Sequence, residues 1–223
     1  METIDQKNAI LVEELKSKLL RQRIIKERFR LPMSFEDAKL YLIAAYKGEV
    51  ERRFREFEES DEFARQLNQV ANYLTGGSQR CGMIFSGLCG NGKTTWAKAI
   101  QSLVFALNIK NSHGTSTYGM PLFNSKELAM RSKGEYNEWR NLMRTPLLIV
   151  DDLGVEPREI MDYGNVFTPL VDLITLRYDE QLYTIFTTNL TPSQLEEKYG
   201  KRIVDRLNEM VETIVFENGT YRR

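Results

Sequence analysis

The stretch Gly87-Leu88-Cys89-Gly90-Asn91-Gly92-Lys93-Thr94 leaves this chain of 223 residues little freedom in choosing a fold. Glycines let a backbone turn tightly and bring its N–H groups onto the oxygens of a phosphate. Cys81 to Ser86 is a short apolar run before the loop, and a helical pattern follows it to about Leu107. The positive end of that helix points at the same anion. Strand, glycine loop, Lys-Thr, then helix is the phosphate-loop arrangement, and every fixed position of the pattern is filled. It assigns Gly87, Gly90, Asn91, Gly92, Lys93, Thr94 and Thr95 to binding ATP. Lys93 reaches the outer phosphates, and the Thr94 hydroxyl is a ligand for Mg²⁺. A glycine turn followed by a surface lysine is the competing reading.

Three further segments carry chemistry. Leu147-Leu148-Ile149-Val150 reads as a strand buried on both faces, and Asp151-Asp152 stands at its C-terminal end. Ligands of open parallel sheets sit at that edge. Asp151 is placed to hold Mg²⁺ and Asp152 to orient the water that attacks the γ-phosphate; the alternative is an acidic turn. Thr184 to Thr188 is a strand that runs into Asn189. The Asn189 amide touches both γ-phosphate and water if this strand lies between the other two; otherwise it caps the helix that follows. Arg202 and Arg206, four apart, share one helix face, as a site pair or as a solvated basic face.

The rest of the chain bounds the answer. Lys+Arg 31 balance Asp+Glu 31, so any nucleic-acid contact comes from a local patch. Cys81, Cys89 and the single histidine, His113, are too few for a tetrahedral zinc site and suit a reducing, cytosolic setting. The first residues lack the basic and apolar regions of a signal peptide, and no apolar run matches a membrane span. Residues 1–76 read as charged helices with Leu15, Leu19, Leu20, Ile24 and Ile25 at helical spacing, and one helix is expected over Glu51–Leu74. Thr75-Gly76-Gly77-Ser78 marks a boundary, with the α/β domain over 77–223. There, strands are expected at Tyr118–Phe123 and Thr213–Phe216, and helices at Ser125–Met143, Val166–Tyr178, Ser193–Tyr199 and Lys201–Met210. Trp96, Met120, Phe123 and Tyr183 are core candidates, and Tyr118 or Phe123 is a candidate for stacking on a base.

These segments, in this order, resemble the AAA+ ATPases, and within them the DnaC/DnaI helicase loaders and IstB-type transposition helpers. "LLIVDDLG", "TIFTTNL" and "GKRIVDRL" look like that family's Walker B, sensor 1 and arginine-finger segments. The resemblance covers about residue 80 to the end. It implies a P-loop fold with a five-stranded parallel sheet in the order 5-1-4-3-2, flanked by helices; the C-terminal helical lid of the family's pattern is not expected here, a departure from it. It implies that Asn189 lies beside Thr94 and Asp151. Arg206 becomes the arginine finger that reaches a neighbouring subunit's ATP, with Arg202 as runner-up. The catalytic set implied is Lys93, Asp152, Asn189 and Arg206. A replicative DNA helicase bound by the N-terminal helices, single-stranded DNA, and further copies of the chain are the implied partners. A helical cap packed on its own ATPase domain is the plainer reading of those helices. The Cys/His cluster of some relatives is absent. A transposase helper acting on duplex DNA is the alternative function. A small-molecule kinase, with Glu135, Trp139 and Arg140 lining a pocket, is a third.

Overall fold

In the computed structural model the described residues are 4–21, 28–110, 114, 116–162, 164–217 and 219–221. Ile24, Ile25, His113 and Tyr163 lie outside them. The strands are β1 (Gly82–Gly87), β2 (Leu122–Asn124), β3 (Leu147–Leu153), β4 (Ile160–Asp162), β5 (Asn165–Phe167), β6 (Tyr183–Thr188) and β7 (Val211–Phe216). The helices are α1 (Ile4–Arg21), α2 (Phe35–Glu51), α3 (Asp61–Leu74), α4 (Lys93–Leu107), α5 (Ser125–Arg131), α6 (Tyr136–Met143), α7 (Pro169–Asp179), α8 (Pro192–Tyr199) and α9 (Lys201–Met210).

Five strands form one parallel sheet in the order β2-β3-β6-β1-β7. Counting only these strands and starting from β7, the order is 5-1-4-3-2, as the resemblance implies. β6 therefore lies between β1, which feeds the phosphate loop, and β3, which carries the two aspartates. Helices cover both faces, as an all-parallel sheet requires. On one face Met83, Phe85, Ile149 and Ile185 share a core with α2, α3 and α4. On the other, Ile84, Leu148, Val150 and Phe186 pack with residues of α5 to α9. Trp96, Met120 and Tyr183 are buried as expected, whereas Phe123 is half-buried.

The N-terminal third divides by packing. Ala38, Leu42 and Tyr46 of α2, and Phe63, Leu67 and Val70 of α3, are part of the sheet's own core. Trp96 of α4 stacks on Phe63 at a ring distance of 5.3 Å, and its indole N–H donates to Gln66 Oε1 at 2.8 Å. By contrast, residues 11–19 of α1 are all exposed, with Leu11, Val12, Leu15 and Leu19 between 50% and 65% accessible. Among the described residues no helix is long and apolar enough to cross a membrane.

Three expected helices are broken. Glu51–Leu74 is not continuous: α2 ends at Glu51, Phe54 takes a left-handed φ of 55°, and α3 starts afresh at Ser60, whose hydroxyl accepts from Phe63 N. Ser125–Met143 splits into α5 and α6 around Gly134. Val166–Tyr178 begins with β5, which pairs with β4 as an antiparallel hairpin, and helix starts only at Pro169. A proline at the first helical turn marks such a start. The strand expected at Tyr118–Phe123 is shorter and shifted, to Leu122–Asn124.

Candidate nucleotide site

The loop after β1 folds as its glycines allow. Gly87 has φ 151°, and a Cβ there would collide with the Phe216 carbonyl and the Asn91 amide. Gly92 has φ 99°, and a Cβ would stand 2.8 Å from the Tyr46 hydroxyl. Asn91, buried, donates to the Phe216 carbonyl at 3.0 Å and so ties the loop to β7. Lys93 Nζ donates to the carbonyls of Gly87 at 2.8 Å and Leu88 at 2.7 Å, and to Asn91 Oδ1 at 3.0 Å. The ammonium is thus folded back onto its own loop. No side chain caps α4 and no acid stands in its first turn. Its first amides are left to an anion.

β3 delivers both aspartates to that end of the sheet. In a regular strand consecutive side chains point to opposite faces. Here the register with β6 shifts between Val150 and Leu153, and Asp152 takes φ 55°. Aspartate tolerates that conformation better than most residues. A bulge re-aims a side chain in this way. Asp151 Oδ1 accepts from Thr94 Oγ1 at 2.9 Å, and Asp152 lines the same cleft as Lys93 and Thr94.

The central strand β6 connects the parts. Thr187 Oγ1 donates to Asp151 Oδ1 at 2.6 Å and accepts from Asp152 N at 2.8 Å, so one hydroxyl sets both acids. Asn124 Nδ2 approaches Asp152 Oδ2 at 3.4 Å, and Ser125 Oγ donates to the Asp152 carbonyl at 2.7 Å. Asn189 lines the cleft. It does not cap α8: that cap is Thr191, in a reciprocal capping box with Gln194. The rest of the post-β3 turn is anchored by Glu156, which is buried, accepts from Gly154 N at 2.9 Å, and pairs with the Tyr199 hydroxyl and Lys198.

The cleft has a volume of about 640 Å³. Beyond the phosphate loop its wall is Tyr46, Val50, Phe57 and Phe63 with the chain from Arg53 to Glu58 and the tail residues Thr220 and Tyr221. Arg53 Nη1 donates to Thr95 Oγ1 at 2.9 Å. Burial, chiefly, pushes the Tyr46 phenol well above its usual value, with Tyr221 adding to the shift. It stays protonated and able to donate.

Two expected residues stand apart from this cleft. Arg206 and Arg202 lie on α9 and do not line it. Arg202 is exposed. The Arg206 guanidinium lies 5.2 Å from the Tyr178 ring centre and 3.8 Å from Asp179 Oδ1, with its side chain 17% exposed. Glu135 and Arg140 are exposed and Trp139 is packed in the core of its face, so these three line no pocket together.

The fold as a whole agrees with solved structures. A crystal structure of the DnaC helicase loader superimposes with a TM-score of 0.56 at 24% identity, covering 81% of this chain and 100% of that one. A DnaI crystal structure gives 0.55 at 21% identity over 75% of this chain and 87% of that one. A replication initiator DnaA bound to AMPPCP and single-stranded DNA gives 0.55 at 18% identity over 73% of this chain and 49% of that one. The fold is the AAA+ fold. No protein-family model matches the sequence, and no curated protein matches it. The AAA+ sheet order is what puts Thr187 and Asn189 between the loop and the two aspartates.

Sequence reasoning missed Thr187, Asn124 and Ser125 as supports of the aspartates. Thr187 had a signal: a polar residue on a strand buried on both faces needs a partner. Tyr46, Arg53 and Tyr221 had none, because they meet the loop only through the tertiary fold.

Proposed function

We propose that this chain is an ATP-hydrolysing helicase loader of DNA replication whose site is completed by a second copy. The observation that carries the reading is the Thr94–Asp151 contact of 2.9 Å, with Lys93, Asp152 and Asn189 around the same cleft. The triphosphate seats on the amides from Gly90 to Thr94. Lys93 leaves the loop carbonyls for the outer phosphate oxygens, a stronger, charge-assisted partner. Thr94 and Asp151 offer a hydroxyl and a carboxylate on one spot, a hard all-oxygen pair that fits Mg²⁺. Bound there, the ion neutralises phosphate charge. Asp152, pinned by Thr187 and Asn124, accepts a proton from the attacking water. That water's oxygen bonds to the γ-phosphorus as the bond to the β–γ bridging oxygen breaks and ADP departs. The Asn189 amide holds the water and the γ-phosphate in line. Arg206 of a neighbouring copy stabilises the transferring group.

Loading rather than transposition follows the likeness to DnaC and DnaI structures, which extends over most of both chains. We assign the helicase contact to α1, whose Leu11, Val12, Leu15 and Leu19 are exposed. A DnaA structure of the same fold holds single-stranded DNA, which supports a DNA contact here.

The test is affinity capture from native extract with ATP and Mg²⁺, using the full chain and a chain lacking residues 4–21. Recovery of a replicative helicase by the full chain alone supports the reading. Recovery of a transposase overturns loading in favour of the transposition helper. Phosphorylation of a nucleoside or sugar, with ADP released and no effect from DNA, overturns both.

A further inference from the structure

We propose that the C-terminal tail is a wall of the nucleotide site and that the ring of Tyr221 covers the purine base. The inference rests on the ATP-binding reading above and names the residue that recognises the half of the nucleotide remote from the phosphates.

After β7 the chain turns back over the phosphate loop. Tyr221 N donates to the Gly90 carbonyl at 2.9 Å, so the tail is fixed to the loop by its main chain. From the other side Arg55 Nη1 donates to the Tyr221 carbonyl at 3.3 Å. Arg55 is on the irregular stretch after α2, so the two segments that flank the cleft are joined across 166 residues of sequence. The edge of the Tyr221 ring stands 3.5 Å from the place where a Cβ on Gly92 would be, against the loop's last glycine.

The ring is only partly covered by the protein. Tyr221 is 45% exposed, and among the described residues it stacks on no other ring. Tyr46, Phe57 and Phe63, by contrast, pack on one another and on Trp96. An apolar wall and a half-exposed aromatic face thus lie on the same cleft as Lys93. A triphosphate held by the loop projects its base away from the helix that binds the phosphates. A flat aromatic group is what such a wall takes, since every base offers a π-face.

Calorimetric titration of the full chain with Mg²⁺ and two probes, ATP and inorganic tripolyphosphate, tests this. Tyr221→Ala keeps both main-chain hydrogen bonds of the tail and removes only the ring. It should weaken ATP roughly tenfold, the scale of losing a base–aromatic stack, and leave tripolyphosphate unchanged. Tyr221→Phe should restore ATP binding, because the ring and not its hydroxyl makes the contact. Unchanged ATP affinity in Tyr221→Ala overturns the proposal. So does an equal loss for tripolyphosphate, which makes the tail a brace for the loop, or tighter ATP binding, which makes it a plug. If the unaltered chain binds neither probe, the nucleotide reading itself fails, and that outcome is distinct from the others.

Discussion

The two ends of the cleft are built differently. At the phosphate end, Thr94, Asp151, Asp152 and Thr187 sit on strand tips and a helix start, and three hydrogen bonds of 2.6 to 2.9 Å link all four. Thr187 is fully buried and Asp151 is 8% exposed. At the other end, Arg53 to Glu58 and Thr220–Tyr221 have no regular secondary structure, and Arg55 Nη1 meets the Tyr221 carbonyl at 3.3 Å between exposed partners. The first end is a closed hydrogen-bonded network. The second is irregular chain, tied to the loop and to α4 by Tyr221 N and Arg53. Under the function proposed above, the ordered end is where bonds are broken and made, and the irregular end is where a ligand enters and leaves.

That contrast predicts a descending series of effects. Lys93→Ala removes the only ammonium among the described residues that line the cleft, and no ATP binding should be measurable by calorimetry; retained heat would refute the phosphate end. Asp152→Asn preserves shape and binding while losing the proton acceptor. Turnover, read as phosphate release, should fall by roughly 10²-fold or more. An unchanged rate removes Asp152 from the reaction. Thr187→Val leaves the Asp152 amide and Asp151 without their shared partner in a buried place. The folded state should lose about 1–3 kcal/mol, visible as a lower Tm, and turnover should drop several-fold. If Tm and rate both hold, the preassembled picture of this end is wrong. Arg55→Ala breaks only an exposed cross-link, worth about 0.5–1 kcal/mol, so ATP affinity should weaken by no more than about fivefold with turnover intact. A loss as large as that of Lys93→Ala would erase the distinction between the ends.

Legibility followed the same line. The placement of the glycine loop, Lys93, Thr94 and the Asp151-Asp152 pair at one edge of the sheet was readable because each position is set by neighbours a few residues away. The five-stranded parallel sheet was readable because its inner strands are continuous apolar runs. Its order came from resemblance, and the strand pairing agrees with it. Asn189 was ambiguous until Thr191 was seen to cap α8. The base end was invisible, since its two segments meet only after the sheet has folded. The β4–β5 hairpin was missed because three-residue strands carry too little alternation to oppose a helical pattern.

Arg206 shows what such an arrangement means for an isolated molecule. Its guanidinium rests on Tyr178 near the exposed Asp179, contacts each worth at most about 1 kcal/mol. If Arg206 acts as proposed above, a lone copy keeps its own trigger stowed on its flank. Under the function proposed here, fuel is held without being burned until a second molecule arrives. Only crowding on a shared target then starts the clock.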